Sequence, residues 1–373
     1  MFNVLSELEK FRAEDIPYSR VLSSMCTTPL PIALKAHELF IETNLGDPGI
    51  FAGTWKLEQK LIKMLGELLH NPNAKGYICS GGTEANIQAI RAARNVIRRE
   101  RKIDRPNIVV PESAHFSFEK IGDILGVEVR RAKLDEEFKV DVASVESLVD
   151  ENTVGIAGIA GTTELGQIDP IDELSKLALQ LGVPLHVDAA FGGFVIPFMN
   201  KPYPFDFELE GVTSITIDPH KMGMATIPAG GILFRDEKFL NALIVETPYL
   251  TSRYQYTLTG TRPGTGVASA YAVLKHLGYK GMKQIVDECM RMTALLVEEM
   301  TSLGFEPVIE PVMNVVCFKT EKAEKIKEEL YRRRWVISTI KNPRAIRLVV
   351  MPHVTEEVVK GFISELKSVL RSV

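Results

Sequence analysis

The chain is poor in cysteine and tryptophan and has no long apolar run. Its 373 residues include four cysteines and two tryptophans. Cys26, Cys79, Cys289 and Cys317 form no C-x-x-C pair, so neither a zinc site nor a redox dithiol is expected. In a chain of this size they are expected as buried thiols, not disulfides. No apolar stretch approaches the ~20 residues that cross a bilayer. The start, Met1-Phe2-Asn3-Val4-Leu5-Ser6-Glu7, has no basic segment and no long apolar core, so no secretory leader is expected. An excess of one charge is also lacking. A net charge of −4 and a pI of about 6.1 supply no basic field for nucleic acid. The runs Arg98-Arg99-Glu100-Arg101-Lys102 and Arg332-Arg333-Arg334 fall in helix-like segments and read as solvated faces. The expectation is a soluble, reduced, cytoplasmic protein.

What is present is ordinary globular material, 45% hydrophobic and 25% charged, long enough to favour two domains. Residues 1–48 read as a short helix and an extended arm, and residues 49–275 as a large domain. Residues 276–373 read as a smaller C-terminal α/β domain. Candidate strands lie at Gly76–Cys79, Asn107–Val110, Val127–Arg131, Val154–Ala160, Pro184–Val187, Thr213–Ile217 and Gly230–Phe234. Amphipathic stretches such as Glu84–Arg101 and Ile171–Leu181 separate several of them. Strands alternating with helices predict an α/β fold with a mostly parallel seven-stranded sheet covered on both faces. Sites in such sheets lie beyond the carboxyl ends of the strands. The second domain is expected to hold strands at Met313–Phe318 and Ile346–Val350 and helices at Ala323–Arg334 and Glu356–Leu370.

Five segments at those strand ends carry chemistry. Ser80-Gly81-Gly82-Thr83-Glu84-Ala85-Asn86 leads from a strand into a helix, where glycines and free amides suit a phosphate. Taken alone, it is equally a capped turn. His186-Val187-Asp188-Ala189-Ala190 puts Asp188 at the end of a buried strand, where a carboxylate needs a partner. A protonated pyridine nitrogen is one such partner; a turn cap is the plainer alternative. A metal held by His186 and Asp188 is disfavoured because no third ligand accompanies them. Thr216-Ile217-Asp218-Pro219-His220-Lys221 puts Lys221 in a loop, where a partly desolvated amine attacks carbonyls. A solitary loop lysine is usually a solvated one. His115, in Ala114-His115-Phe116-Ser117, can stack on a ring or be an ordinary loop histidine. Gly161-Thr162-Thr163-Glu164 offers hydroxyls at a further strand end.

Together these segments resemble the fold-type-I enzymes that use pyridoxal 5'-phosphate. Within them they resemble the group II amino-acid decarboxylases, and most closely the archaeal tyrosine/aspartate decarboxylases. The resemblance runs from Asn44-Leu45-Gly46-Asp47-Pro48-Gly49 through Met351-Pro352-His353. His220-Lys221 looks like the family's lysine signature, and Asp188 precedes Lys221 by 33 residues, a similar separation. The resemblance implies that Lys221 holds the cofactor as a Schiff base and that Asp188 meets its pyridine nitrogen. His115 would stack over one ring face and Ala190 pack under the other. Gly82, Thr83 and His220 would meet the phosphate, His220 also lying beside the Schiff base, and Thr162 the 3'-oxygen. Arg347 would take the substrate α-carboxylate, the alternative being a surface charge on an edge strand. A homodimer is implied, with Thr261 reaching the neighbouring subunit's phosphate. The stretch from Pro248 to Gly264 would be a mobile loop whose Tyr249, Tyr254 or Tyr256 protonates the product carbon. Asp218 departs from several relatives, which carry a neutral residue there.

The activity implied is decarboxylation of L-aspartate to β-alanine, towards coenzyme A. L-tyrosine to tyramine, towards methanofuran, and L-glutamate decarboxylation are the alternatives. Arg253, Arg262 and Arg344 are the cations available for an acidic side chain. Transamination, carbon–carbon lyase chemistry, desulfuration and a non-catalytic cofactor-binding role are the other classes, since fold does not decide reaction.

Overall fold

The seven apolar runs pair into one sheet in the computed structural model, which describes residues 2–372. They are β1 (Lys75–Cys79), β2 (Asn107–Pro111), β3 (Glu128–Ala132), β4 (Thr153–Ile159), β5 (Leu185–Asp188), β6 (Val212–Ile217) and β7 (Gly230–Phe234). Their spatial order is β1-β7-β6-β5-β4-β2-β3. Strands β3, β2, β4, β5 and β6 are parallel, and β7 runs antiparallel to both β6 and β1. Six strands therefore end at one edge, giving the mostly parallel α/β sheet expected. Strands β2 and β4 are buried along their whole length, which is why they read as continuous apolar runs.

The helices are α1 (Phe2–Glu14), α2 (Pro31–Leu39), α3 (Ala52–Leu68), α4 (Gly82–Glu100), α5 (Ser117–Leu125), α6 (Val142–Leu148), α7 (Ile171–Leu181) and α8 (Glu237–Asn241). A longer one, α9 (Thr265–Ser302), is broken at Gly278, whose φ of 56° only glycine adopts cheaply. Helix α4 is buried on two sides. Ile87, Ile90 and Ile97 pack with Ile108, Val110 and Phe118. Ala85, Ala89 and Val96 pack with Tyr77, Ile232 and Phe234. That double burial holds the start of α4 at the sheet edge. A short ribbon pairs β8 (Val245–Glu246) with β9 (Tyr254–Gln255), inside the stretch expected as a loop.

The chain divides into Pro29–Val286 and a second unit, made of the N-terminal segment through Thr28 and the chain from Asp287 onward. The second unit holds β10 (Val315–Lys319), α10 (Ala323–Arg332), β11 (Ser338–Lys341), β12 (Arg344–Val349) and α11 (Glu356–Leu370). Its antiparallel sheet has β12 in the centre, and Phe318, Leu348, Phe362 and Leu366 form its core. Leu22 is fully buried in that core, and its backbone bonds Val336 and Val349 at 2.8 and 2.7 Å. These contacts attach the start of the chain to its end. The division therefore differs from the expected boundaries at 48 and 276, which local patterning alone suggested. Strand β11, Ser-Thr-Ile-Lys, has too few apolar residues to read as a strand.

All four cysteines are free thiols; Cys79, Cys289 and Cys317 are buried and Cys26 is partly so. Arg98, Arg99 and Arg332 to Arg334 are exposed. No helix among the described residues is long and apolar enough to cross a membrane.

Candidate active site

The glycine turn between β1 and α4 is the floor of the site. Ser80 donates from its amide and its hydroxyl to Glu84, at 2.9 and 2.7 Å, which pins the turn to the first turn of α4. Gly230 of β7 must lack a side chain, because a Cβ there would lie 2.3 Å from the Cα of Gly81. A Cβ on Gly81 would meet the His220 ring at 3.2 Å, and one on Gly82 would meet Ala190 Cβ at 3.1 Å. The β1, β5 and β6 strand ends thus converge on two glycines, with Thr83 beside them in the first turn of α4.

Asp188, at the end of β5, is 7% exposed. Its carboxylate accepts from Asn86 Nδ2 at 2.7 Å and from the Ala190 amide at 3.1 Å. Asn86, on α4, is itself held by three further groups. Its Oδ1 accepts from the Thr216 hydroxyl at 2.7 Å and lies 3.0 Å from His186 Nε2. Its Nδ2 also reaches the Ser117 hydroxyl at 3.1 Å. A carbonyl oxygen only accepts, so His186 must carry its proton on Nε2. Its Nδ1 then accepts from the Ser214 hydroxyl, 2.9 Å away. Both ring nitrogens are engaged in this relay, which sets the amide orientation that faces Asp188.

Burial pushes the pKa of His186 down to about 4. As pH falls below the ordinary value near 6.5, the unfolded chain takes up a proton that the folded ring refuses until about pH 4. Stability present above that window is lost within it, about 3 kcal/mol from this one group. Urea unfolding at neutral pH and near pH 4.5, close to the lower end of that window, is expected to show most of the loss in the native chain and not in His186→Gln. Equal losses in both would remove His186 as the cause.

The loop after β6 brings Asp218, His220 and Lys221 together. Lys221 Nζ lies 3.2 Å from Asp218 Oδ2. His220 is 9% exposed; its Nδ1 accepts from the Ala229 amide at 3.2 Å, so its proton sits on Nε2, facing Asp218 at 3.7 Å. Burial lowers its pKa. His115, ahead of α5, is half-buried and accepts from the Ser117 amide at 3.2 Å. Its pKa is lowered by burial, and the charges of Asp188, Lys221 and Asp218 all act on it. Thr162, past the end of β4, is buried and accepts from the Gln167 amide at 2.9 Å, leaving its own proton to donate.

Four further expected residues have surroundings of their own. Thr261 is exposed on the segment before α9. Arg347 lies in the second unit, 6% exposed on the central strand β12, so it is no edge-strand surface charge. It donates to the Ser23 carbonyl and the Ser338 hydroxyl, both at 3.0 Å. Arg262 is committed elsewhere, buried against Glu58 at 2.7 Å and the Ile78 carbonyl at 2.6 Å. Arg344 pairs with Glu321. Sequence reading passed over Asn86, Ser117, Ser214 and Thr216. Polar residues at buried positions of α4 and β6 were the available signal.

Residues 48–321 match the pyridoxal-dependent decarboxylase conserved domain. The chain is 71% identical to an Archaeoglobus fulgidus protein named "Probable L-aspartate decarboxylase", over 99% of this chain and all of that one. It is 54% identical to a Methanosarcina acetivorans protein named "Probable L-tyrosine/L-aspartate decarboxylase", over 98% of this chain and 96% of that one. Among solved structures, a Burkholderia pseudomallei sphingosine-1-phosphate lyase superposes with a TM-score of 0.91 at 26% identity, covering 99% of this chain and 90% of that one. A Lactobacillus brevis glutamate decarboxylase shares the fold, with a TM-score of 0.90 at 23% identity, covering 98% and 91%.

The residues present fit pyridoxal 5'-phosphate. The glycine turn is a cradle that side chains would fill. Asp188 is a buried carboxylate whose hydrogen bonds come from neutral amides, so its charge remains available to a cationic ring nitrogen. The chain belongs to the pyridoxal-dependent decarboxylase family and is a pyridoxal 5'-phosphate-dependent amino-acid carboxy-lyase.

Proposed function

We propose that the enzyme decarboxylates L-aspartate to β-alanine, with Lys221 as the cofactor-binding lysine. The observation that carries the substrate is the identity to the Archaeoglobus fulgidus protein, well above that to the relative named for both tyrosine and aspartate. Bound pyridoxal 5'-phosphate supplies the electron sink for the pair left when the bond to the carboxylate breaks. Asp188 would face the pyridine nitrogen and keep its proton in place. His115 would cover one ring face and Ala190 the other. Gly82, Thr83 and His220 would hold the phosphate, and Thr162 would donate to the 3'-oxygen. Arg347 orients the α-carboxylate, a task suited to a planar guanidinium.

For the side-chain carboxylate, Arg253 is the remaining candidate of the three arginines. It is exposed, with its guanidinium 5.6 Å from the Tyr254 ring centroid. Proton delivery to the α-carbon falls to a tyrosine of the same segment. Tyr256 suits this least, because burial raises its pKa and its ring packs on Tyr77. Tyr249 is 84% exposed.

A homodimer is part of this reading, with Thr261 serving the partner's phosphate. Its support is apolar exposure: Ile50 is 67% and Tyr249 84% exposed, and the Gly49 amide donates to Thr251, which joins their two segments. The product would feed coenzyme A synthesis, and soluble substrate and product suit the cytoplasm. Carbon dioxide release from L-aspartate, L-tyrosine and L-glutamate, measured side by side, tests the substrate. The kcat/KM for aspartate is expected to exceed the others by at least about fivefold, since an unmatched buried polar group costs ~1–3 kcal/mol. Equal or faster turnover of tyrosine would overturn the reading.

A further inference from the structure

We infer that Asp218 is a positioning residue that holds the nitrogen of Lys221 in its protonated form. The inference rests on Lys221 being the cofactor-binding lysine. Asp218 is 1% exposed, one residue past β6. Its Oδ2 is the meeting point of three groups: the Gly82 amide at 3.1 Å, Lys221 Nζ at 3.2 Å and His220 Nε2 at 3.7 Å. Its Oδ1 has no hydrogen-bond partner among the described residues. A carboxylate so buried is costly unless a cation offsets it.

His220 does not supply that cation. Its Nδ1 accepts from the Ala229 amide and its burial disfavours a second proton, so it faces Asp218 as a neutral ring. Lys221 supplies it. From the lysine's side, a carboxylate at 3.2 Å favours the charged nitrogen. The backbone maintains the arrangement, since the Lys221 amide donates to the Asp218 carbonyl at 3.0 Å. Nζ is therefore tethered to the loop that carries its counter-charge.

The other groups facing this pair leave it alone. His115 is kept neutral by burial. The Cys79 thiol, at the end of β1, is raised well above its ordinary range by burial, with the charges of Glu84 and Asp218 adding to the effect. Asp188, which acts on the same His115, is engaged with Asn86 and Ala190. Lys120 acts on His115 only as a further positive charge, and Arg262 is neutralised by Glu58.

A proton on the lysine nitrogen matters for entry of substrate. With the cofactor bound, a protonated Lys221 nitrogen would more readily accept the electron pair of the carbon–nitrogen double bond as the substrate amine takes its place. Asp218 would thereby prepare the site before substrate arrives.

The test is a pH titration of the visible absorbance of the cofactor-loaded enzyme, beside Asp218→Asn, Asp218→Ser and Asp218→Glu. The midpoint for loss of the protonated band is expected to fall by at least about one pH unit in the Asn and Ser variants. Asp218→Glu, which keeps the charge, is expected to stay nearer the native midpoint. An unchanged midpoint in the neutral variants overturns the inference. If those variants take up no cofactor, binding retained by Asp218→Glu supports it and loss in all three overturns it. Lys221→Ala separates the two levels: a titrating band that persists without the lysine sinks the assignment of Lys221 itself. A Lys221-dependent band with an unmoved midpoint sinks only the role of Asp218.

Discussion

Replacing Lys221 with alanine is expected to lower kcat by at least about 10²–10⁴-fold, the range for loss of one positioned proton-transfer group. In the proposed mechanism this side chain holds the cofactor, gives it up to the substrate amine, and regains it as product leaves. No neighbour substitutes for it. His220 is neutral and turned towards Ala229 and Asp218, and Arg262 is committed to Glu58. The substitution is mild for the fold, because the side chain is 21% exposed and lies in a loop. Borohydride reduction of the loaded enzyme, followed by peptide mass mapping, is expected to place the cofactor's mass on the peptide holding Lys221. Wild-type turnover by Lys221→Ala, or label on another lysine, would remove the assignment.

Asp188→Asn is expected to cost about 10²–10³-fold in kcat with little change in KM, as for removal of one preorganised electrostatic partner of the transition state. The reason lies in how the carboxylate is held. Its donors, Asn86 Nδ2 and the Ala190 amide, are neutral, so they orient the charge without cancelling it. An asparagine keeps the shape and loses the charge that, in the proposed mechanism, would keep the ring nitrogen protonated. Asn86→Leu is expected to fall between native and Asp188→Asn, because the charge survives but its short hydrogen bond is lost. Steady-state kinetics, with far-ultraviolet circular dichroism to confirm folding, reads both variants. A change confined to KM would show that Asp188 binds and does not activate.

The sheet was legible because β2, β4 and β5 are buried throughout and their residues have to be apolar along the whole run. Helices α7 and α11 were legible to the residue from their apolar spacing. The candidate site was legible as a set of strand ends, because a parallel sheet leaves its carboxyl edge open to ligands. Asn86 was not legible as the holder of Asp188. In the sequence it is one polar residue on a helix, and its partners His186 and Thr216 lie 100 and 130 residues away. Arg262 read as a free cation because Glu58, its buried partner, stands 204 residues earlier.

The chain alone determined which chemistry is carried: a glycine turn, a strand-end carboxylate and a loop lysine in the order and spacing of the decarboxylase family. These are local properties, set by the backbone freedom of glycine, the two-residue period of strands and the side chains at their ends. Only the tertiary structure decided what surrounds Lys221. It brought Asp218 Oδ2, the Gly82 amide and Lys221 Nζ together, and gave Asp188 its neutral donors. Pairing of buried charges depends on distances across the fold, and the energy of such a pair depends on the water its neighbours exclude, which no local pattern records.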